Sequence, residues 1–300
     1  MKRIAVAFLG LAAAFALDAK EIKILTIGNS FAASVFGPLP LIAKSVPDCS
    51  VIIDRANIGG CSLERHWKEY EQSLKDPAHK PYSGKKANLV DMLTKEKWDV
   101  VTIQQASPES WKPESYQPYA ENLIRVIRKY APQAEIVIQQ TWSYRCDAPR
   151  LAEWKIDQKE MYNRLTKNYT DLAAKYQLRV IPSGLAVQLS REGEKNPFQP
   201  ISPEKLKEIK PPAHPDNSGD VVGQSRWIKD KKSGEQKLST DAIHLNARGA
   251  YMQGCVWFAT LFGKKTSDIR YVPKGITPED AKFLQECAQK AVDTFPQVKK

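Results

Sequence analysis

Apolar positions along the chain follow two alternating rhythms. Five short runs rich in Ile and Val, each ending in polar or turn residues, predict strands over Ile22–Ile27, Ser50–Asp54, Asp99–Gln104, Glu135–Gln140 and Leu178–Pro182. The segments between them carry apolar residues at helical spacing. Tyr116–Tyr130 places Tyr119, Leu123, Val126, Ile127 and Tyr130 on one face, and Gln158–Tyr176 does the same with Met161, Leu165, Tyr169, Leu172 and Tyr176. Ser62–Leu74 predicts a helix with Ser62 as its N-cap. Pro278–Phe295 predicts a last one, with Leu284, Cys287, Ala288, Ala291, Val292 and Phe295 facing the core. Strands alternating with helices imply a parallel sheet covered on both faces, a doubly wound three-layer α/β/α sandwich. In that architecture ligands bind beyond the carboxyl ends of the strands.

Two regions break the rhythm. Met1-Lys2-Arg3 followed by the apolar run Ile4–Leu17 has the form of a signal peptide, with Ala14-Phe15-Ala16 and Ala19 offering cleavage sites. The run is shorter than the roughly twenty apolar residues a bilayer span requires. Residues 1–19 are therefore expected to direct a secreted or periplasmic protein, with 20–300 forming one domain and no membrane span after cleavage. Residues 192–238 are polar, basic and proline-rich, a long loop insertion that ends directly before Asp241. Within it, the stretch from Val221 to Ser239 has the pattern of a hairpin turning around Lys231–Gly234.

With 42% hydrophobic residues the 300-residue chain can bury a sizeable core, so disorder is excluded. The formal charge is +11. Its lysines are scattered rather than interleaved with stacking aromatics, and an export signal does not suit a nucleic-acid partner. The charge fits either a solvated basic surface or an anionic ligand such as an acidic glycan. The five cysteines (Cys49, Cys61, Cys146, Cys255 and Cys287) have no metal-site spacing, and their odd number leaves one unpaired within a single chain. Cys255 and Cys287 read equally as a disulfide or as two buried thiols.

Four places carry candidate chemistry. A strand ends at Gly28-Asn29-Ser30 and a helix begins at once, so Ser30 is either a helix cap or a serine held up at the sheet edge. "ANIGGCSL", residues 56–63, brings two glycines to a strand-to-helix turn, where backbone N–H groups can approach a ligand. "DVVTIQQASPES", residues 99–110, ends an apolar strand in Gln104 and Gln105, whose amides can donate to a developing oxyanion. "STDAIHLNARG", residues 239–249, sets Asp241 three residues before His244. Of the other three histidines, His66 lies on an amphipathic helix and His79 and His214 in proline-rich loops, whereas Asp241 is spaced to orient one ring nitrogen of His244 while the other faces a nucleophile. Two ligands are too few for zinc, and no metal or organic cofactor is expected.

Together "IGNSF", "NIGGCSLERHW", "IQQAS" and "DAIHLNARG" resemble the SGNH, or GDSL-like, hydrolase superfamily, and in particular an exported branch catalogued as a domain of unknown function. The resemblance implies a flavodoxin-like five-stranded sheet. It implies Ser30 as nucleophile, His244 as base and Asp241 as its orienting acid. The Ser30 and Gly60 N–H groups then form the oxyanion hole with the Gln104 amide, or with that of Gln105. Two positions depart from the family pattern. Asn29 stands where an Asp usually precedes the serine, and two glutamines replace the usual Gly-x-Asn-Asp block. The implied activity is removal of a short acyl group, acetyl in the first instance, from a carbohydrate. Trp142, Tyr144 and Trp227 are the expected sugar contacts, with Trp111 a further loop aromatic. A non-catalytic glycan binder and a lipid or thioester hydrolase are the competing readings.

Overall fold

The computed structural model describes residues 20–298. The expected signal peptide lies outside the described residues. Strands β1 (Lys20–Gly28), β2 (Cys49–Asn57), β3 (Val100–Ile103), β4 (Glu135–Gln139) and β5 (Arg179–Ile181) form one parallel sheet in the order β2-β1-β3-β4-β5. All four residues of β3 are buried, as expected for a central strand covered on both faces.

The helices are α1 (Ser30–Ala33), α2 (Pro38–Lys44), α3 (Leu63–Lys75), α4 (Leu89–Thr94), α5 (Tyr119–Tyr130), α6 (Pro149–Trp154), α7 (Gln158–Tyr176), α8 (Ser183–Gly193), α9 (Pro203–Glu208), α10 (Ala247–Phe262) and α11 (Pro278–Thr294). One layer packs α2, α8, α10 and α11 together, and the other contains α3, α4 and α5. Tyr176 of α7 reaches Glu121 of α5 through its hydroxyl, at 2.9 Å, which places α7 in the second layer. The fold is thus the doubly wound sandwich that the alternating pattern predicts. The strand order reverses between β1 and β3, so the crevice for a ligand opens where Gly28 and Ile103 end their strands.

The 192–238 segment is more ordered than its composition suggests. It contains α9 and then β6 (Val222–Lys229), which pairs antiparallel with β7 (Gln236–Leu245). The turn lies at Asp230–Glu235, where the Asp230 N–H donates to the Glu235 carbonyl at 2.8 Å. The predicted hairpin is therefore present, but its second strand runs on through Asp241 and His244. Asp241 stands opposite Gln224 in the ladder, so the insertion supplies the partner of the strand that carries the candidate base.

Among the described residues all five cysteines are free thiols, and all but Cys146 are buried. Burial pushes the Cys61 thiol up to about 12, as expected for a packed thiol rather than a reactive one. Among the described residues no helix is long and apolar enough to cross a membrane.

α3 anchors the end of β1 through a buried histidine. His66 Nε2 donates to the Gly28 carbonyl at 3.0 Å, and Nδ1 accepts from the Tyr82 hydroxyl at 2.9 Å. Burial lowers the pKa of His66 to about 4. The unfolded chain then binds a proton between about pH 6.5 and pH 4 that the folded chain does not, and stability falls as pH drops through that window. The loss should reach at most roughly 3 kcal/mol. Urea denaturation at a series of pH values should show it, and His66→Gln should flatten the slope. An unchanged slope in that variant would assign the acid sensitivity to another group.

Candidate active site

Ser30 opens α1 because Asn29 caps it. The Asn29 side-chain oxygen accepts from the Phe31 N–H at 3.0 Å, while its amide donates to the Cys61 carbonyl, also at 3.0 Å. Asn29, not Ser30, is therefore the N-cap, which leaves the Ser30 hydroxyl free to face outward. Phe31 fixes the next position. Its carbonyl accepts from Gln253 at 3.0 Å and from Gln139 at 3.2 Å, and its ring stacks on Trp142 with centroids 4.2 Å apart. An Asp at position 29 would place a charge in this buried bed. The amide of Asn29 instead serves as donor and acceptor at once.

Ser30 Oγ lies 2.9 Å from His244 Nε2, and His244 Nδ1 lies 2.8 Å from Asp241 Oδ2. The other Asp241 oxygen accepts the Ile243 N–H at 2.9 Å and the His244 N–H at 3.0 Å. Burial pushes the Asp241 carboxyl up, but the hydrogen bonds from the His244 ring and from these two amides outweigh it. They hold the carboxyl well below the usual carboxylate range. Asp241 therefore stays ionised across the neutral range and keeps the His244 proton on Nδ1, with Nε2 directed at Ser30. The three sequence candidates thus meet in a nucleophile–base–orienter chain.

The strand bearing Asp241 and His244 is held from below. Trp142 Nε1 donates to the Ile243 carbonyl at 2.9 Å, and the Arg145 N–H donates to the Ala242 carbonyl at 2.9 Å. The Arg145 side chain, only 2% exposed, pairs with both oxygens of Asp147 at 2.7 and 2.9 Å and donates to Asn217 at 2.8 Å. Its guanidinium lies 3.9 Å from the Phe198 ring centroid. A Cβ at Gly223 would stand 2.3 Å from Arg145 Nη1, and the backbone there has φ +102°, so glycine is required at that position. Arg145 thereby locks the 192–238 segment to the loop after β4.

Several expected contacts take other roles. Trp142 and Tyr144 are fully buried, so neither can touch a sugar. Trp142 packs under Phe31, and the Tyr144 hydroxyl is paired with Ser107 at 2.8 Å. The Trp227 indole is tied to the Ala213 carbonyl at 2.8 Å within the insertion and does not line the cavity beside His244.

The two glutamines separate clearly. Gln105 makes four bonds: its oxygen accepts from the Leu63 and Ala106 N–H groups, and its amide donates to the carbonyl and hydroxyl of Ser115. Both of its N–H donors are engaged, which removes it as an oxyanion donor. Gln104 packs against Gly28 and donates one N–H to Asn29 at 2.8 Å, leaving its second N–H unengaged. Gly60 turns with φ +62° on the exposed strand-to-helix connection, where its N–H has no internal partner among the described residues.

The pattern of sequence could have exposed one contributor it hid. Gln253 is a polar residue inside the otherwise apolar α10, and a buried amide there demands a partner. Arg145 left no such signal. Among the described residues there is also no group of three or more His, Cys, Asp or Glu side chains able to hold a metal ion.

A cavity of about 720 Å³ opens beside His244. Its walls are the loop and helix at 145–153, the insertion from Phe198 to Asn217, and the β6–β7 hairpin.

A fluorophosphonate should label Ser30, as read by peptide mapping. Trp142→Phe keeps an aromatic ring under Phe31 but deletes the hydrogen bond to Ile243. It should cost about 1 kcal/mol of stability and slow labelling by roughly tenfold, since a base displaced slightly activates its serine poorly. Labelling at the wild-type rate would remove Trp142 from the positioning of His244.

No curated protein matches the chain by sequence. A DUF4886 family protein from Bacteroides uniformis is similar in structure at 26% identity and TM-score 0.71, over 93% of this chain and 98% of that one. A candidate SGNH hydrolase from Slackia heliotrinireducens aligns at 18% identity and TM-score 0.45, over 79% and 97%. The acetyl xylan esterase AlAXEase aligns at 12% identity and TM-score 0.45, over 80% and 100%. The family model for the domain of unknown function DUF4886 matches residues 23–198, from β1 into the start of the insertion, and the chain belongs to that family.

Proposed function

We propose that the protein is a serine ester hydrolase that removes short acyl groups, acetyl first among them, from a carbohydrate or similar polar ester. The observation that carries this reading is the continuous chain from Ser30 Oγ through both ring nitrogens of His244 to Asp241. Ser30 Oγ attacks the ester carbonyl carbon while His244 Nε2 takes its proton. The oxyanion lies against the Ser30 and Gly60 N–H groups and the free N–H of Gln104. As the tetrahedral intermediate collapses, the bond to the alcohol oxygen breaks and His244 returns the proton to that oxygen. Water then attacks the acyl-enzyme with His244 again as base, releasing the acid and restoring Ser30. Asp241 holds the ring tautomer and stabilises the imidazolium at each transfer.

An anionic substrate is not favoured. The lysines of the insertion, among them Lys205, Lys207, Lys229 and Lys237, do not line the cavity beside His244. The three arginines that do line it, Arg145, Arg150 and Arg226, stand beside four carboxylates, Asp147, Glu153, Asp216 and Asp241.

Purified protein should release acetate from p-nitrophenyl acetate and from acetylated oligosaccharides, and Ser30→Ala should abolish both activities. Gln104→Ala should lower kcat by roughly a hundredfold, as loss of an oxyanion donor does. Gln105→Ala should instead lower the melting temperature, because it leaves the Leu63 N–H buried and unpaired at a cost of about 1–3 kcal/mol. Acetate release that survives in Ser30→Ala would refute Ser30 as the nucleophile, and no release by the wild type would leave a binding protein as the better reading.

A further inference from the structure

We infer that the cavity beside His244 is the subsite for the leaving alcohol, and that it accepts an uncharged, hydroxyl-rich group of more than one sugar ring; this rests on the esterase reading above. The position of the cavity decides which half of the ester enters it. In acyl transfer the base must reach the departing oxygen, so the alcohol lies on the histidine's side of the nucleophile and the acyl oxygen on the side of the backbone donors. The cavity is lined by Asp241, Ile243 and His244 but not by Asn29, Ser30 or Gly60. It therefore extends the base's side of the site. Its volume of about 720 Å³ lies within the roughly 300–1,000 Å³ of small-molecule pockets and far exceeds what a methanol-sized leaving group needs.

The chemistry of the walls selects the alcohol. On one side the insertion presents Phe198, Ile201 and Leu206, an apolar surface suited to the C–H face of a pyranose. On the other, the hairpin presents Gln224, Arg226 and Thr240, with donors and acceptors in both senses. Three arginines and four carboxylates line the cavity; Arg145 pairs with Asp147 and Asp241 with His244, while Arg150, Arg226, Glu153 and Asp216 form no ion pair among the described residues. A carboxylate accepts from two neighbouring hydroxyls and a guanidinium donates to two oxygens, so a vicinal diol satisfies either. A polyanion would meet Glu153 and Asp216 uncompensated, and an acyl chain would leave all four charges desolvated without partners.

The half of α9 that faces the cavity explains an otherwise costly arrangement. Leu206 is the half-buried residue of this short helix, and it turns to the cavity rather than to the sheet. An apolar side chain held over a hydrated space gains burial only when a ligand covers it.

The test compares leaving groups and acyl groups separately. With acetyl fixed, kcat/KM should rise at least tenfold from ethyl acetate to mono-acetylated xylotriose. With p-nitrophenol fixed, it should fall from acetate to hexanoate. In Arg226→Ala and in Phe198→Ala, the ratio of kcat/KM on acetylated xylotriose to that on p-nitrophenyl acetate should drop tenfold or more, mainly through KM. A hexanoate preference that either variant abolishes would show that the cavity holds the acyl chain and would overturn the inference. A higher rate on an acetylated glucuronic-acid oligomer than on xylotriose would overturn its neutrality. Calorimetry of unacetylated xylotriose with Ser30→Ala separates this inference from the esterase reading. Binding that Arg226→Ala weakens supports the subsite even if no ester is hydrolysed. Absence of binding, with p-nitrophenyl acetate still cleaved, refutes the subsite alone.

Discussion

One indole joins the two halves of the site. Trp142 carries the Phe31 ring on its face, 4.2 Å between centroids, and the Ile243 carbonyl on its nitrogen at 2.9 Å. Phe31 follows Ser30 and Ile243 precedes His244, so a single rigid side chain sets the spacing between hydroxyl and imidazole. The indole is itself fully buried at the end of the sheet, where dense packing leaves it no freedom to shift. The short gap between Ser30 and His244 thus depends on packing beneath the site as much as on the site's own hydrogen bonds.

The buried polar groups around Trp142 extend the same logic in both directions. Gln139 and Gln253 secure the Phe31 carbonyl from the sheet and from α10. On the histidine's side the salt bridge of Arg191 with Asp220, at 2.9 Å and largely buried, secures the start of the hairpin. The Asn246 N–H donates to the Val221 carbonyl at 3.0 Å, while its side-chain oxygen caps α10 by accepting from the Gly249 N–H at 3.1 Å. Polar groups buried this deeply are costly unless fully paired, and when paired they permit one arrangement only.

The sheet was legible in the sequence because a parallel sheet buried on both faces leaves uninterrupted Ile/Val runs, and strand edges moved by only a few residues. α7 matched from Gln158 to Tyr176, since Asp157 caps its start and a full apolar stripe marks its length. That Ser30, Asp241 and His244 would lie together was legible only from the four segments taken jointly, since a serine at a helix start and an Asp three residues before a His, as at Asp76 and His79, are each ambiguous alone. Trp142 and Tyr144 were misplaced because an aromatic after a strand end reads the same whether it faces solvent or packs underneath; only Phe31 and Ser107, distant in sequence, decide. Arg145 stayed hidden because a charged side chain reads as surface, and its burial is compensated by Asp147 and Asn217, of which Asn217 lies far along the chain. β6 was legible only as one arm of the hairpin around Lys231–Gly234. With only Val222 and Gly223 buried, it lacks the apolar alternation that marks a strand over a core.

The separation of the site's parts along the chain also sets when it can exist. Ser30 and His244 are 214 residues apart, and every strand of the sheet lies between or beside them. Closing so long a loop is entropically expensive until the intervening structure shortens it. The hydroxyl and the imidazole therefore meet only after the sheet is assembled and the hairpin has docked. A nascent or truncated chain that ends before residue 244 contains Ser30 without its hydrogen-bond partner His244. Any reactivity of Ser30 that depends on His244 accordingly reports the completed fold.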